Sequence, residues 1–189
     1  MKLFNLIRYY FARYRKPTMI FGYKNAAGIY LKDTRISNST RIDTPENLNI
    51  ADNVFIGHFN LLEASHGIVI EEGCQITNYI SIITHSSHIS IRLYGSAYRY
   101  NEKHKGYVIG DVKIGKYTFI GPHSTIMPNT RIGKGCIVSA YSLVKGDFPD
   151  FSIIKGNPAV VIGSTKDLDE QYLKNDPGLN AHYEAWSKD

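Results

Sequence analysis

Residues 114–144 read IGKYTFIGPHSTIMPNTRIGKGCIVSAYSLV, and every sixth residue of this stretch is aliphatic. The fourth residue after each aliphatic one is small, as at Thr118 and Ser124. An α-helix repeats near 3.6 residues and a strand near 2, so a period of six is typical of neither. It is typical of one flat side of a triangular coil, where an aliphatic side chain points inward and a small one fits the corner. The aliphatic positions are Ile114, Ile120, Ile126, Ile132, Val138 and Val144.

The same period occurs upstream, with one change of register. Aliphatic residues are spaced by six over 50–68 and again over 70–82, but the second series is shifted by two residues. The shift predicts that at least one side of the coil is distorted. A single coil cannot bury its aliphatic row, so stacked coils must supply the core. We therefore predict an all-β solenoid, a parallel β-helix over residues 30–162.

The repeat stops over residues 89–107, which predicts an extruded loop. A loop of this length inside a compact repeat usually carries function. Its aromatic and basic residues, among them Arg92 and Tyr94, suit a sugar or an anionic acceptor. The alternative is a mobile surface loop whose tyrosines pack on the coil. His85 and His88 end the last regular side before the loop, which places them at the edge of a cleft.

The two ends of the chain lie outside the predicted β-helix. Residues 1–16 contain five Lys and Arg residues and no acid, so they account for the whole net charge of +5. The rest of the chain is balanced, so the charge does not indicate a nucleic-acid partner. We predict that residues 1–29 form a basic amphipathic segment with a short helix, and that residues 163–189 form a C-terminal helix and tail.

The N-terminal segment has two interpretations. Its helix caps the open end of the coil, or residues 1–16 make a peripheral contact with an anionic membrane. Liposome co-sedimentation with and without residues 1–16 would distinguish them. No apolar run approaches the roughly 18 residues that a membrane span needs. Cys74 and Cys136 both occupy small corner positions and are predicted to be buried, with no disulfide and no metal site, which fits a cytoplasmic location.

Residues 114–163 resemble the C-terminal coils of the hexapeptide-repeat acyltransferases. More narrowly, the chain is similar to the branch that contains galactoside, maltose and xenobiotic acetyltransferases and the sugar O-acetyltransferases of polysaccharide pathways. The resemblance extends over about residues 45 to 163 and is sharpest in the hexads and in the segment GNPA at 156–159. It implies a left-handed β-helix, a homotrimer with shared active sites, acetyl-CoA as donor, and a sugar hydroxyl, on a polysaccharide or its precursor, as acceptor.

The resemblance also implies residue roles on the acceptor side. A histidine after the middle coils takes the proton of the acceptor hydroxyl, which then attacks the thioester directly. The Thr-x-x-Ser-His pattern of residues 84–88 makes His88 the first candidate, with His85 second. Asn60 matches a residue that contacts the acceptor sugar. Glu63 and the loop residues Arg92 and Tyr94 are predicted to line the same pocket.

On the donor side, the resemblance implies a coenzyme A site along the coil edges. The chain departs from the family pattern near the nucleotide phosphate of coenzyme A, because Val160 and Val161 stand where the family often has a basic residue. Lys155 or Lys166 is the predicted substitute. The matching positions for the donor are Phe119, Pro122, Ala140, Lys145, Gly146 and Pro158.

Two other functions remain open from the sequence. One is an N-acyltransferase acting on an amino sugar or a xenobiotic. The other belongs to a different class, a zinc carbonic anhydrase-like enzyme or a non-catalytic β-helix. A zinc site would need three converging imidazoles. His85 and His88 supply two, and the sequence shows no clear third.

Overall fold

The computed structural model describes residues 16–188 and shows a three-sided coil. Successive strands pass from one sheet to the next, and each then pairs in parallel with the strand one coil earlier. Three sheets result, which we call A, B and C, with a separate two-stranded ribbon at the base of the loop. The predicted parallel β architecture is confirmed.

Sheet A has eight strands and sheets B and C have five each. In spatial order, sheet A contains β1 (Met19–Lys24), β2 (Tyr30–Ser37), β5 (Phe55–Ile56), β8 (Gln75–Ile76), β13 (Phe119–Ile120), β16 (Ile137–Val138), β19 (Ser152–Gly156) and β20 (Ala159–Ser164). Sheet B contains β17 (Leu143–Val144), β14 (Thr125–Ile126), β9 (Ser81–Ile83), β6 (Leu61–Glu63) and β3 (Arg41–Asp43). Sheet C contains β18 (Asp147–Phe148), β15 (Thr130–Ile132), β12 (Val112–Ile114), β7 (Ile68–Ile70) and β4 (Leu48–Ile50).

The register shift in the sequence corresponds to an enlarged corner. Phe55 pairs with Gln75, twenty residues on, whereas Phe119 pairs with Ile137, eighteen residues on. The two extra residues lie between sheets B and C, at residues 64–67, and the loop leaves the coil from the same corner one turn later. Since Ile68 and Ile70 both point inward at the ends of β7, neither aliphatic series is interrupted.

The core is a set of aliphatic columns closed by small polar corners. The predicted inward residues of the hexads are buried, from Ile50 to Val144. Corner hydroxyls donate to the carbonyl oxygens of the next coil, as from Thr118 Oγ1 to Gly133 (2.9 Å) and from Ser124 Oγ to Ser139 (3.1 Å). Within residues 16–188 every buried side-chain polar atom has a hydrogen-bond partner. Each corner is therefore both tight and chemically satisfied.

Antiparallel strands cover both edges of sheet A. Strand β1 pairs with β2 at one edge, and β20 folds back on β19 at the other. Two C-terminal helices follow, α2 (Thr165–Asn175) and α3 (Leu179–Ser187), and Trp186 packs on Tyr117 at a centroid distance of 4.6 Å. The predicted N-terminal helix, apart from Lys16, lies outside the described residues. None of the helices in residues 16–188 is long and apolar enough to span a membrane.

The extruded segment contains local structure of its own. The ribbon pairs β10 (His85–Ser86) with β11 (Val108–Ile109), and between them lie helix α1 (Ser90–Tyr94) and a 3-10 segment (Gly95–Tyr100). His104 packs against Tyr98 at a centroid distance of 4.1 Å, and its Nε2 lies 2.6 Å from the Tyr98 carbonyl oxygen. These contacts hold the loop together on an aromatic cluster.

The close approach of coils at the corners predicts that Gly121 tolerates no side chain. A Cβ at this position would lie 2.6 Å from Ala140 N and 2.7 Å from Val138 O, both backbone atoms. We expect Gly121→Ala to cost about 1–3 kcal/mol of unfolding free energy, which corresponds to a fall in Tm of roughly 2–4 °C per kcal/mol, measured by calorimetry. Gly163→Ala is the matched control, because its nearest neighbour atom would be a flexible methyl at 3.5 Å. Equal Tm values for the two variants would contradict this packing.

Candidate functional site

The enlarged corner between sheets B and C holds a linked group of polar side chains. Glu63 is the last residue of β6, and His85 is the first residue of β10. They are twenty-two residues apart, which is one long coil plus two residues, so stacking brings them to neighbouring levels of the same corner. Ser65 and Thr84 complete the group.

Glu63 is a half-buried carboxylate that several hydrogen bonds hold in place. Its Oε1 accepts a hydrogen bond from Ser65 N (3.0 Å), and its Oε2 accepts from Thr84 N (3.1 Å) and Thr84 Oγ1 (2.8 Å). The side chain is only 13% exposed. Burial by itself would raise the pKa of Glu63, but the hydrogen bonds from Ser65 and Thr84 outweigh burial and lower the pKa from 4.5 to about 2. Glu63 therefore carries its negative charge throughout the neutral pH range.

Glu63 orients His85 through one ring nitrogen. His85 Nδ1 lies 2.8 Å from Glu63 Oε2, and because an ionised carboxylate only accepts, Nδ1 must carry the hydrogen. In the neutral imidazole, Nε2 then presents a lone pair. Within residues 16–188 this nitrogen has no hydrogen-bond partner, and the side chain is 35% exposed. The arrangement is an oriented, accessible base.

Aromatic rings enclose the imidazole of His85. Tyr107, where the loop returns to the coil, stacks on it with a centroid distance of 5.6 Å and an interplanar angle of 16°. The His66 ring lies 6.0 Å away at 60°. Tyr107 also borders the aromatic cluster around His104, with centroids 6.2 Å apart. The loop is thus packed directly onto the candidate base.

His88, the first candidate from the sequence, lies in a different environment. It is exposed, and its Nδ1 is 2.8 Å from Ser86 Oγ. Its backbone carbonyl accepts a hydrogen bond from Arg92. Among the described residues no carboxylate lies within ion-pair distance of His88, so only His85 has the oriented geometry. Within the same part of the chain, no three His, Cys, Asp or Glu side chains are grouped as metal ligands.

The predicted acceptor residues are only partly brought together. Asn60 is 3% exposed; its Nδ2 donates to Thr77 O and its Oδ1 accepts from Ile80 N, both at 2.7 Å. Its amide joins two coils, and the acceptor contact of Asn60 stays a prediction. Tyr94 Oη holds the loop backbone, because it accepts from Lys105 N at 3.0 Å.

The predicted donor residues fall into separate places on the surface. Pro122 and Ala140 lie one above the other at the corner between sheets A and B, where Tyr141 N donates to Pro122 O at 3.0 Å. Lys145 and Gly146 follow β17 at the next corner of the last coil. Pro122 and Ala140 form a narrow edge beside the stacked rings of His123 and Tyr141.

Phe119 and Pro158 lie away from this edge. Phe119 is 38% exposed on the outer face of sheet A. It faces a cavity of about 370 Å³ that Tyr183 and Trp186 of α3 also line. Pro158 stands in the turn between β19 and β20. The structure therefore groups Phe119 with the C-terminal helices.

Sequence reasoning assigned no role to two sets of residues. Ser65, Thr84 and Tyr107 surround the Glu63–His85 pair, and an aromatic column occupies the corner between sheets A and B. A signal for the column existed, because its members are separated by the lengths of the coils. The column consists of Phe59, Tyr79, His123 and Tyr141.

Known proteins share this architecture and sequence pattern. A family model described as bacterial transferase hexapeptide (six repeats) matches residues 108–146. The dTDP-4-amino-4,6-dideoxy-D-glucose acyltransferase of Escherichia coli is 30% identical over 148 residues, which cover 68% of this chain and 77% of that protein. The chain therefore belongs to the hexapeptide-repeat transferase family.

Two further relatives show the range of the family. Serine acetyltransferase 2 of Arabidopsis thaliana is 32% identical over 146 residues, 77% of this chain and 39% of that protein. A maltose O-acetyltransferase structure from Clostridium difficile 630 superposes with a TM-score of 0.58 at 26% identity, over 67% of this chain and 64% of that one. The chain spans two fifths or less of the length of several curated relatives that it matches.

The low pKa of Glu63 predicts a pH-dependent stability difference for Glu63→Gln. Because the folded-state pKa of about 2 lies below the ordinary 4.5, the carboxylate stabilises the fold above pH 4.5, and this contribution is lost as the pH falls towards 2. We expect Glu63→Gln to lower the free energy of unfolding by roughly 2–3 kcal/mol at pH 7. The difference in unfolding free energy from wild type should narrow by roughly 2 kcal/mol at pH 3, as measured by urea denaturation. Glu102→Gln, at an exposed loop residue, is the control. A gap that stays constant with pH would refute the assignment.

Proposed function

We propose that this chain is an acetyltransferase that moves the acetyl group of acetyl-CoA to a sugar hydroxyl, with His85 as general base. The observation that carries the proposal is the hydrogen bond between Glu63 and His85 Nδ1 beneath the loop. It orients the imidazole and leaves its second nitrogen accessible, as general-base catalysis requires. Family membership supplies the reaction class.

The chemistry proceeds by direct attack. His85 Nε2 removes the proton of the acceptor hydroxyl while the hydroxyl oxygen attacks the thioester carbonyl. The tetrahedral intermediate expels the thiolate of coenzyme A, which takes the proton back from the imidazolium. The products are an acetyl ester and free coenzyme A, and no acyl-enzyme forms.

Glu63 contributes electrostatically to this sequence. During the reaction the imidazole becomes a cation, and the adjacent carboxylate stabilises that charge at 2.8 Å. Because four hydrogen-bond contacts fix Glu63, it needs no rearrangement as the charge develops. Glu63 is thus proposed to position His85, whereas the sequence predicted that it lines the acceptor pocket.

The donor side of the proposal rests on the narrow edge formed by Pro122 and Ala140. Small residues there leave room for the pantetheine arm, and Lys145 offers a point charge to a phosphate. We further infer a left-handed coil and a homotrimer, in which a neighbouring copy completes each site. Both inferences follow from family membership.

The acceptor is proposed to be a sugar or a polysaccharide precursor, bound between His85, Tyr107 and the loop that carries Arg92 and Tyr94. A second candidate is N-acylation of an amino sugar, favoured by the Escherichia coli relative named for an amino-sugar nucleotide. A histidine base serves either acceptor. Product analysis with a sugar and its matched amino sugar would separate the two. A cytoplasmic location and the membrane contact of residues 1–16 stay predictions.

The proposed base predicts unequal effects of two histidine substitutions. His85→Ala should lower turnover by roughly 10²–10⁴, the usual effect of losing a general base, while His88→Ala should change it less than tenfold. Turnover is measured as thiol released from acetyl-CoA, and calorimetry confirms that both variants fold. If the His88 variant shows the large loss and the His85 variant does not, the base is misassigned. If neither loses activity, histidine-base catalysis fails.

Donor binding predicts a ligand-dependent rise in stability. A ligand that binds only the native protein stabilises it by RT ln(1 + [L]/Kd), about 2.7 kcal/mol at a hundredfold excess over Kd. We expect Tm to rise with the concentration of acetyl-CoA and of coenzyme A, but not with adenine at the same concentrations. An unchanged Tm at millimolar acetyl-CoA would favour a scaffold or a metal enzyme, and metal analysis of the purified protein would then decide between them.

A further inference from the structure

Four aromatic rings form a continuous stack along the corner between sheets A and B. We call this set, Phe59, Tyr79, His123 and Tyr141, the aromatic ladder. Successive ring centroids lie 5.2, 4.8 and 4.8 Å apart, with interplanar angles of 16°, 3° and 8°. The steps match the 4.7–4.9 Å spacing of neighbouring strands, so each coil adds one ring.

The ladder is energetically expensive for the backbone. All four residues have φ between 59° and 61°, in the left-handed region. That conformation costs about 1–2 kcal/mol for a residue with a Cβ, so four cost about 4–8 kcal/mol. Three stacked contacts return about 1.5–4.5 kcal/mol in total. Asn53, Tyr117, Asn129 and Phe151 have the same left-handed conformation at other corners, so the coil imposes it there too. What distinguishes the ladder is that its four rings lie at successive levels of one corner and stack on each other.

The two ends of the ladder differ. At the Phe59 end, the preceding coil places Ser39 next to the ring, and Ser39 Oγ accepts from Phe59 N at 3.1 Å. At the other end Tyr141 is 71% exposed. After Ile154 the chain turns back through residues 156–158 into β20, and within residues 16–188 no fifth ring continues the stack. One face of Tyr141 is therefore open for a flat ligand.

The surroundings of Tyr141 carry free positive charge. Lys155 in β19 is brought beside Ser139, at the corner of Tyr141, by the bond from Ser139 N to Ile154 O at 2.8 Å, and Lys145 lies at the opposite end of β17 from Tyr141. Both lysines are exposed, and neither forms an ion pair among residues 16–188. A flat aromatic face with nearby lysines suits a nucleotide, because the base stacks on the ring and the phosphates meet the ammonium groups.

The level of Tyr141 along the coil indicates that the nucleotide belongs to the donor. Tyr79 belongs to the same coil as His85, and Tyr141 lies two ladder steps further on. The acetyl group must reach His85, so the far end of the donor extends towards Tyr141. Ala140, directly before Tyr141, belongs to the proposed donor edge.

We propose that Tyr141 is the stacking platform for the adenine ring of the acyl-CoA donor, which extends the aromatic ladder by a fifth ring. Lys145 and Lys155 meet its phosphates. They take the place of the basic residue that the family often has at the positions of Val160 and Val161. This inference rests on the proposed function, since that function supplies the donor. It assigns the nucleotide end of the donor to one side chain.

Isothermal titration calorimetry of the full chain tests the platform with three probes: coenzyme A, adenosine 3′,5′-bisphosphate and 4′-phosphopantetheine. Tyr141→Asn removes the ring and suits the left-handed corner, so the fold is retained. We expect this variant to weaken coenzyme A and adenosine 3′,5′-bisphosphate by the same factor, about tenfold, since a stacked base contributes about 1–3 kcal/mol. Binding of 4′-phosphopantetheine should not change. Tyr141→Phe keeps the ring and should bind like wild type.

Tyr172→Asn is the matched control, because Tyr172 is an equally exposed tyrosine on α2, away from the ladder. Wild-type binding of coenzyme A by Tyr141→Asn would overturn the platform and leave the proposed function standing. Equal weakening of all three probes would also overturn it, since the loss would not be specific to the base. Binding of adenosine 3′,5′-bisphosphate but not coenzyme A by the wild type would support a nucleotide platform and remove the acyl-CoA donor.

Discussion

The whole structure depends on coils that stack at the spacing of a β-sheet. Backbone hydrogen bonds fix this spacing, so a residue and the one a full coil later must lie directly above each other. At corners the coils approach so closely that Gly121 has no room for a Cβ. Inside the coil the result is a set of aliphatic columns. Outside it, any side chain that recurs once per coil becomes a column too, and the aromatic ladder is such a column.

The site arises where the regular coil is relaxed. Two extra residues widen the corner between sheets B and C, which gives Ser65 room to donate its backbone N–H to Glu63. One coil later the same corner releases the loop, and Thr84 at its start donates to the same carboxylate. A strictly eighteen-residue coil would turn into sheet C before these groups could converge. The irregularity in the sequence and the acid–base pair therefore have one structural cause.

The sequence predicted the core because inward positions obey a local period, and Ile114 to Val144 are buried as expected. The register shift predicted a distorted side, and the structure shows an enlarged corner at residues 64–67. The sequence ranked His88 above His85, because the partner of His85 lies twenty-two residues upstream and becomes a neighbour only after coils stack. The same limit affected Asn60, whose amide bonds to Thr77 and Ile80 are set by the stacking.

The outer faces of the coil suggest how a site with separate donor and acceptor corners is completed. Sheet C carries paired charges, Lys113 with Glu71 at 2.8 Å and Arg131 with Asp111 at 2.6 Å, as a solvated face does. Sheets A and B also present partly exposed apolar side chains such as Phe55 and Leu143, beside the Arg41–Asp43 pair of sheet B at 2.7 Å. The base lies at the edge of sheet B next to sheet C, whereas the donor edge lies at the opposite edge, next to sheet A. A single copy therefore separates base and donor edge by the width of sheet B, so the donor edge of a neighbouring copy would have to meet the base, as the proposed trimer would allow.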